Sequence, residues 1–235
     1  MSLGLVPPAV PALAVVGGER FAVRRIYCVG RNYADHAREM GADPTREQPF
    51  FFMKPADALL ANRSILPFPP MTANLHHEVE MVIALGSGGS NIPVTQATDH
   101  IFGYAVGLDM TRRDLQDQAK EKRHPWDMGK AFDFSAPCSE LTPKSLCGPL
   151  EKGRVALTVN GEVRQAGDLS DMIWSTAELI SRLSHFVTLS AGDLLFTGTP
   201  AGVGAVTQGD DLVGSVEGLV PLSVAIGRPA ISKSI

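Results

Sequence analysis

The segment richest in groups that could do chemistry is His76-His77-Glu78-Val79-Glu80-Met81-Val82-Ile83. Its apolar content predicts a strand, and strand side chains alternate faces, so Glu78 and Glu80 project from the same side. Two adjacent carboxylates repel unless a cation lies between them or water screens them. Taken alone, such a pair more often marks a solvated strand face than a metal site. Asp109 raises the metal reading. It follows the apolar run Gly103–Leu108 just ahead of a predicted helix, where an ordinary helix-start residue would also fit. Three carboxylates together would be hard oxygen ligands, suited to Mg2+, Mn2+ or Ca2+ and not to zinc. His76 and His77 point to opposite faces and fit packing or hydrogen-bonding roles better than ligation.

A second constellation is Gly30-Arg31-Asn32-Tyr33-Ala34-Asp35-His36-Ala37-Arg38-Glu39. His36 and Glu39 stand three apart, so on a helix they share a face, and the carboxylate can orient and polarise the imidazole. An exposed polar pair has the same spacing and is commoner. The run Gly198-Thr-Pro-Ala-Gly-Val-Gly204 tempts a phosphate-loop reading, yet it lacks GK[ST] and no helix start follows it. Thr199 and exposed backbone N–H groups there could still hold a carboxylate oxygen. Lys130 lies between polar and apolar stretches, where a lone lysine is usually a surface charge. No GxSxG elbow is present, and the three cysteines lack CxxC spacing.

These residues need elements to position them. Short apolar runs punctuated by Gly and Pro predict strands over 25–29, 50–53, 79–85, 101–108, 155–159, 193–197, 211–216 and 219–225. Asn160-Gly161 between two of these runs signals a two-residue hairpin. Ser175 and Glu178 form a capping box for a helix through about Phe186, and Thr111 with Asp114 predicts another through about Arg123. Asn32 is the predicted cap of a short helix over 33–40, ended by Gly41. Helices this few and this irregularly placed exclude a doubly wound α/β fold and favour a β-rich α+β domain.

The chain of 235 residues is 44% hydrophobic and 20% charged, enough for a sizeable core. Its formal net charge of -4 offers no electrostatic footprint for nucleic acid or an anionic membrane. No uncharged apolar run approaches the roughly 18 residues of a membrane span. The apolar start, interrupted by Pro7, Pro8 and Pro11 and preceded by no basic residue, does not read as a signal peptide. A reducing cytoplasm is the expected compartment.

Taken together, CVGRNYADHAREM (28–40), FFMKP (51–55), NLHHEVEMVIALG (74–86), GYAVGLDMTRRDLQDQAKEKRHPW (103–126), GKAFD (129–133), VNGEVRQ (159–165) and GDLLFTGTPAGVG (192–204) resemble the fumarylacetoacetate hydrolase family. They resemble particularly its short acylpyruvase and fumarylpyruvate hydrolase branch. The resemblance implies one catalytic domain over 21–235, with 1–20 as an extension, built of rolled, mixed β-sheets. It places the metal ligands on Glu78, Glu80 and Asp109 and the lid-helix dyad on His36 and Glu39. The active-site lysine falls on Lys130, and substrate contacts fall on Arg113, Gln116, Thr199 and Lys54. It further implies Mg2+ or Mn2+, with Ca2+ as a substitute and no organic cofactor, and a homodimer acting on a small 2-oxo acid. The longer members' amino-terminal domain has no counterpart here, which makes fumarylacetoacetate itself a poor substrate candidate.

The expected reaction is hydrolysis of a 3-acylpyruvate, with fumarylpyruvate foremost. Oxaloacetate decarboxylation, or isomerisation or hydration of dienoic 2-oxo acids, would use the same site. A silent metal- and carboxylate-binding protein would not need a positioned base. Candidate specificity residues lie in 41–49 and around Pro125-Trp126.

Overall fold

The structure is a computed structural model that describes residues 9–39 and 47–228. Its centre is an eight-stranded mixed sheet. The strands lie in the order Phe50–Lys54, Arg25–Gly30, Asp193–Phe196, Val79–Leu85, Ile101–Leu108, Ala136–Cys138 and Leu59–Ala61, and Thr142–Pro143 adds to Ile101–Leu108. Asp193–Phe196 runs parallel to Arg25–Gly30 and antiparallel to Val79–Leu85, so a late strand joins two early ones. A five-stranded sheet holds Glu162–Asp168, Arg154–Val159, Asp211–Val216, Leu222–Gly227 and Ser64–Pro67. Thr111–Arg112, Leu75–His77 and Gly204–Val206 form a third, small sheet beside the site. These rolled, mixed sheets with few short helices are the β-rich fold expected.

The central strands are covered on both faces, as mixed sheets between two cores must be. On Val79–Leu85, Val79, Met81, Ile83 and Leu85 enter one apolar cluster, while Val82 and Ala84 enter a second. Glu80 alternates onto the second side and is only 2% exposed, so the solvated-face explanation fails. Residues 12–14 pair with 20–22, and Leu13 and Val15 pack into the second cluster. Among the described residues no helix is long and apolar enough to cross a membrane.

Two local expectations are corrected. Thr111 does not cap a helix: it pairs with His76 as a strand residue, and the helix begins at Arg113 without a side-chain cap. Asn32 does not cap the helix Ala34–Glu39 either. Its amide instead donates to Thr197 O at 2.8 Å and Trp174 O at 3.0 Å, while its oxygen accepts from Trp174 N–H. The last predicted strand starts at Leu222, three residues later than expected. Met40 and Gly41, expected at the end of the short helix, lie outside the described residues, as do 42–46 of the specificity loop.

Candidate active site

The hairpin of Val79–Leu85 and Ile101–Leu108 builds the acidic cluster. Its register sets Val79 opposite Leu108 and Glu80 opposite Gly107, and Asp109 N–H donates to Glu78 O at 2.8 Å. Gly107 cannot be larger, because a Cβ there would lie 2.6 Å from the Phe196 ring and 2.5 Å from Val82. Ligand atoms of Glu78, Glu80 and Asp109 fall within 4.8 Å of one another, and all three residues are buried.

Burying three carboxylates demands compensation. Lys130 Nζ lies 2.9 Å from Glu78 Oε2 and 2.7 Å from Asp109 Oδ2, and it donates to Thr111 Oγ1 at 2.6 Å. Arg113 binds Glu78 Oε1 and donates to Gln116 Oε1 at 2.5 Å. Burial by itself would raise the Glu78 pKa, yet Lys130 and Arg113 outweigh it and hold this carboxyl well below the usual range. Glu80 goes the other way. Burial, and then repulsion from Asp109 and Glu78, push its pKa well up, against one hydrogen bond from Gly198 N–H at 2.7 Å. Lys130 stays protonated, because Asp109 and Glu78 overcome the effect of its burial.

The donor set fits a hard divalent cation. Asp109 Oδ1 is fully buried yet receives no hydrogen bond, since Lys54 Nζ, 2.8 Å away, approaches off the hydrogen-bond line. A carboxylate held against protonation, another driven toward it and an orphaned oxygen together describe a cavity that a 2+ charge would satisfy.

These groups face a cleft that also receives His36, Thr199, Arg113, Gln116 and Lys130. Lys54 does not line it. That side chain is fully buried behind Asp109, bonded to Met110 O and Lys130 O, so it supports the acidic cluster and is not placed to touch a substrate.

His36 and Glu39 do meet: Nδ1 lies 3.3 Å from Glu39 Oε2. Burial lowers the His36 pKa from its ordinary 6.5, against the pull of Glu78 and Glu39, so the ring is neutral and able to accept a proton near neutrality. Glu39 also accepts the Gly202 N–H on both oxygens at 3.1 Å. Gly202 has φ of +95°, and a Cβ there would collide with Arg164 O at 2.1 Å. The Gly198–Gly202 turn therefore does not offer these two N–H groups to a ligand, as its sequence suggested. It uses Gly198 to hold Glu80 and Gly202 to hold the dyad.

One residue that sequence reasoning left without a role is Gln165, fully buried on Glu162–Asp168. Val79 N–H donates to its Oε1 at 3.0 Å, which fixes that atom as oxygen. His77 Nδ1, 2.9 Å from the same oxygen, must then carry a proton. The amide nitrogen donates to Thr199 Oγ1 at 2.7 Å and to Pro200 O at 2.8 Å, using both of its hydrogens. Thr199 is thus an acceptor toward Gln165, and its own O–H is left to donate into the cleft. The only sequence signal was a lone amide ending VNGEVRQ.

Residues 25–226 match the family model Fumarylacetoacetate (FAA) hydrolase C-terminal, and the chain belongs to this family. Among its relatives, the Ralstonia sp fumarylpyruvate hydrolase is 43% identical over 185 residues, 79% of this chain and 96% of that protein. The human oxaloacetate tautomerase FAHD1, mitochondrial, is 42% identical over 206 residues, 88% of this chain and 93% of that one. The crystal structure of fumarylpyruvate hydrolase from Pseudomonas aeruginosa in complex with Mn2+ and pyruvate superposes with a TM-score of 0.92. It is 52% identical and covers 96% of this chain and 99% of that one. Fold, family and the fumarylpyruvate hydrolase branch agree.

Proposed function

We propose that this protein is a metal-dependent hydrolase that cleaves the carbon–carbon bond of a 3-acylpyruvate, with fumarylpyruvate as the leading substrate. The observation that carries the proposal is a neutral, carboxylate-oriented His36 opening on the same cleft as the buried acidic trio. Binding alone gives no reason to place a base there. Glu78, Glu80 and Asp109 would hold Mg2+ or Mn2+, and the ion would supply Lewis-acid stabilisation for an enolate oxygen. The Mn2+ and pyruvate named for the Pseudomonas aeruginosa structure support this choice of ion and of product.

The chain's own residues account for the remaining steps. Arg113, Gln116 and the Thr199 O–H orient the substrate's carboxylate and carbonyl oxygens. His36 takes a proton from water through Nε2 while Glu39 steadies the imidazolium at Nδ1. The resulting hydroxide adds to the distal acyl carbonyl, and the positive charge of Lys130, whose three N–H groups are already engaged by Glu78, Asp109 and Thr111, stabilises the oxyanion as it forms. The tetrahedral carbon then collapses. Its bond to the methylene breaks, the electron pair passes to pyruvate as an enolate, and a proton returned to that carbon gives pyruvate beside the free acid.

A second reading, oxaloacetate tautomerisation, is favoured by the 42% identical human relative. There His36 would move a proton between carbon and oxygen and no bond between carbons would break. Purified protein with Mn2+ or Mg2+ decides between them. Chelator-sensitive pyruvate release from fumarylpyruvate supports the hydrolase. Fast enol–keto exchange of oxaloacetate, with fumarylpyruvate untouched, supports the tautomerase. We further propose a homodimer working in the cytoplasm, the former tested by light scattering.

A further inference from the structure

Lys54 ends the strand Phe50–Lys54, opposite Ile26 of Arg25–Gly30, and its side chain is wholly enclosed. Its ammonium donates to Met110 O at 3.2 Å and to Lys130 O, and lies 2.8 Å from Asp109 Oδ1. Lys130 meets the other oxygen of the same carboxylate at 2.7 Å. Asp109 is thus clamped between two ammonium groups, one bordering the cleft and one behind it. A neutral donor could hold two carbonyl oxygens, and a single cation would answer one carboxylate. Burying a second full charge costs free energy that neither task explains.

The balance of buried charge does explain it. Among the described residues, Asp193 and the histidines apart, the buried acidic and basic side chains are Glu78, Glu80 and Asp109 against Lys54, Arg113 and Lys130. Asp193 is answered separately by Arg24 and Arg25. Ligation needs all three carboxylates ionised, and in that state the six charges cancel. Without Lys54 the cluster would be an anion that holds a dication tightly and partly neutralises it. With Lys54, a bound dication keeps its full surplus of two positive charges inside the fold. Coulomb interaction is several-fold stronger there than in water, so the surplus is best answered by a ligand bringing two negative charges.

We propose that Lys54, acting through Asp109 and touching no ligand, ties the binding of the divalent ion to that of a doubly negative ligand. It loosens the ion in the empty cleft and favours dianions over monoanions once the ion is held. The proposal rests on the metal-dependent 2-oxo acid reading and adds the charge state that the site selects. At the 2-oxo end of a substrate, an enolate and its carboxylate carry two charges, and the keto form carries one. Linkage makes the effect reciprocal, since the ion raises the affinity for the anion by the factor with which the anion raises that for the ion. Lys54 is therefore a positioning residue that works through the field it sets.

Calorimetry at fixed ionic strength tests this without turnover, using oxalate with two charges and oxamate with one as planar probes of similar size. Wild type loaded with Mn2+ is expected to prefer oxalate by a ratio about threefold or more above that shown by aqueous Mn2+. In Lys54→Met, Mn2+ should bind the anion-free protein about tenfold more tightly, while the oxalate-to-oxamate ratio falls about tenfold. The opposite signs separate charge from structure, because a lysine that merely props up Asp109 would weaken ion and anion alike when lost. Lys54→Gln, whose amide can still donate a hydrogen bond, is expected to follow the Met variant. Mn2+ affinity that is unchanged or lower in the folded variants overturns the proposal, as does an unchanged ratio. Thermal melts establish folding. Should both variants unfold, a wild-type ratio no larger than that of aqueous Mn2+ overturns the proposal, and a larger one supports it. A wild type that binds no Mn2+ would overturn the metal reading as well, whereas fumarylpyruvate left intact by a Mn2+-binding protein would sink the hydrolase reading alone.

Discussion

The two halves of the catalytic apparatus are built differently. The acidic trio hangs from a seven- and an eight-residue strand, paired over most of their length and packed on both faces. The dyad rides on a six-residue helix, too short to be stable alone, held at its base by Asn32 and at its tip by Glu39 on Gly202. One half is core that happens to be acidic. The other is a short segment kept over the cleft by the hydrogen bonds of Asn32 and Glu39. Groups needed for ion binding sit on long strands packed on both faces, and the group that must take up and give back a proton sits on one short helix.

That contrast can be broken from either side. The largest effect is expected for Glu80→Gln, which should cut Mn2+ affinity by about 100-fold or more and abolish turnover; calorimetry on the apo protein checks it. His36→Ala should lower kcat by about 10^2–10^4 while Mn2+ affinity stays within about threefold. A parallel fall in ion affinity would mean that the halves are not separable. Because burial lowers the His36 pKa and the base must be unprotonated, the acid limb of kcat/KM should fall below pH 6.5. Activity is retained above that limb and lost as pH drops through it, and the limb should vanish from the residual activity of His36→Ala.

Glu39→Gln sharpens the comparison with a smaller loss, about 10- to 100-fold in kcat. The amide can still accept the Gly202 N–H but carries no charge to steady an imidazolium, so melting should barely move while rate falls. Smallest is Gln165→Leu, which frees Thr199 from its imposed role and leaves Val79 N–H and His77 unpartnered. A stability cost of about 1–3 kcal/mol is expected, with KM rising more than kcat falls; denaturant melts and steady-state kinetics read both.

Local signals were legible where local physics decides. Asn160 and Gly161 take φ of +52° and +83° in the anticipated hairpin, and Ser175 with Glu178 closes the anticipated capping box. Thr111 shows the opposite case: a capping pattern lost to pairing with His76 and to the hydrogen bond from Lys130. Asn32 was misread because its partners are 142 and 165 residues away. Lys54 carried a family motif, but its direction, behind Asp109 and away from the cleft, depends on packing that no spacing encodes. The trio, dyad, Lys130, Arg113, Gln116 and Thr199 were all nameable from residue types and resemblance, and the structure brings them to one cleft, with Glu39 behind His36. Gln165 escaped because an isolated amide on a strand announces nothing until its four partners are seen.

The position of Asp193–Phe196 between Arg25–Gly30 and Val79–Leu85 has a consequence for synthesis. Until residue 196 has left the ribosome, the sheet exists as two fragments, one bearing the histidine helix and the other the carboxylates. Each fragment presents an unpaired strand edge for most of translation, a hazard for association with other nascent chains. The same short strand that seals the edges is followed at once by the Gly198–Gly202 turn that grips Glu80 and Glu39. Closing the sheet and assembling the site are therefore one late event, and a chain stalled before this point would be both sticky and inert.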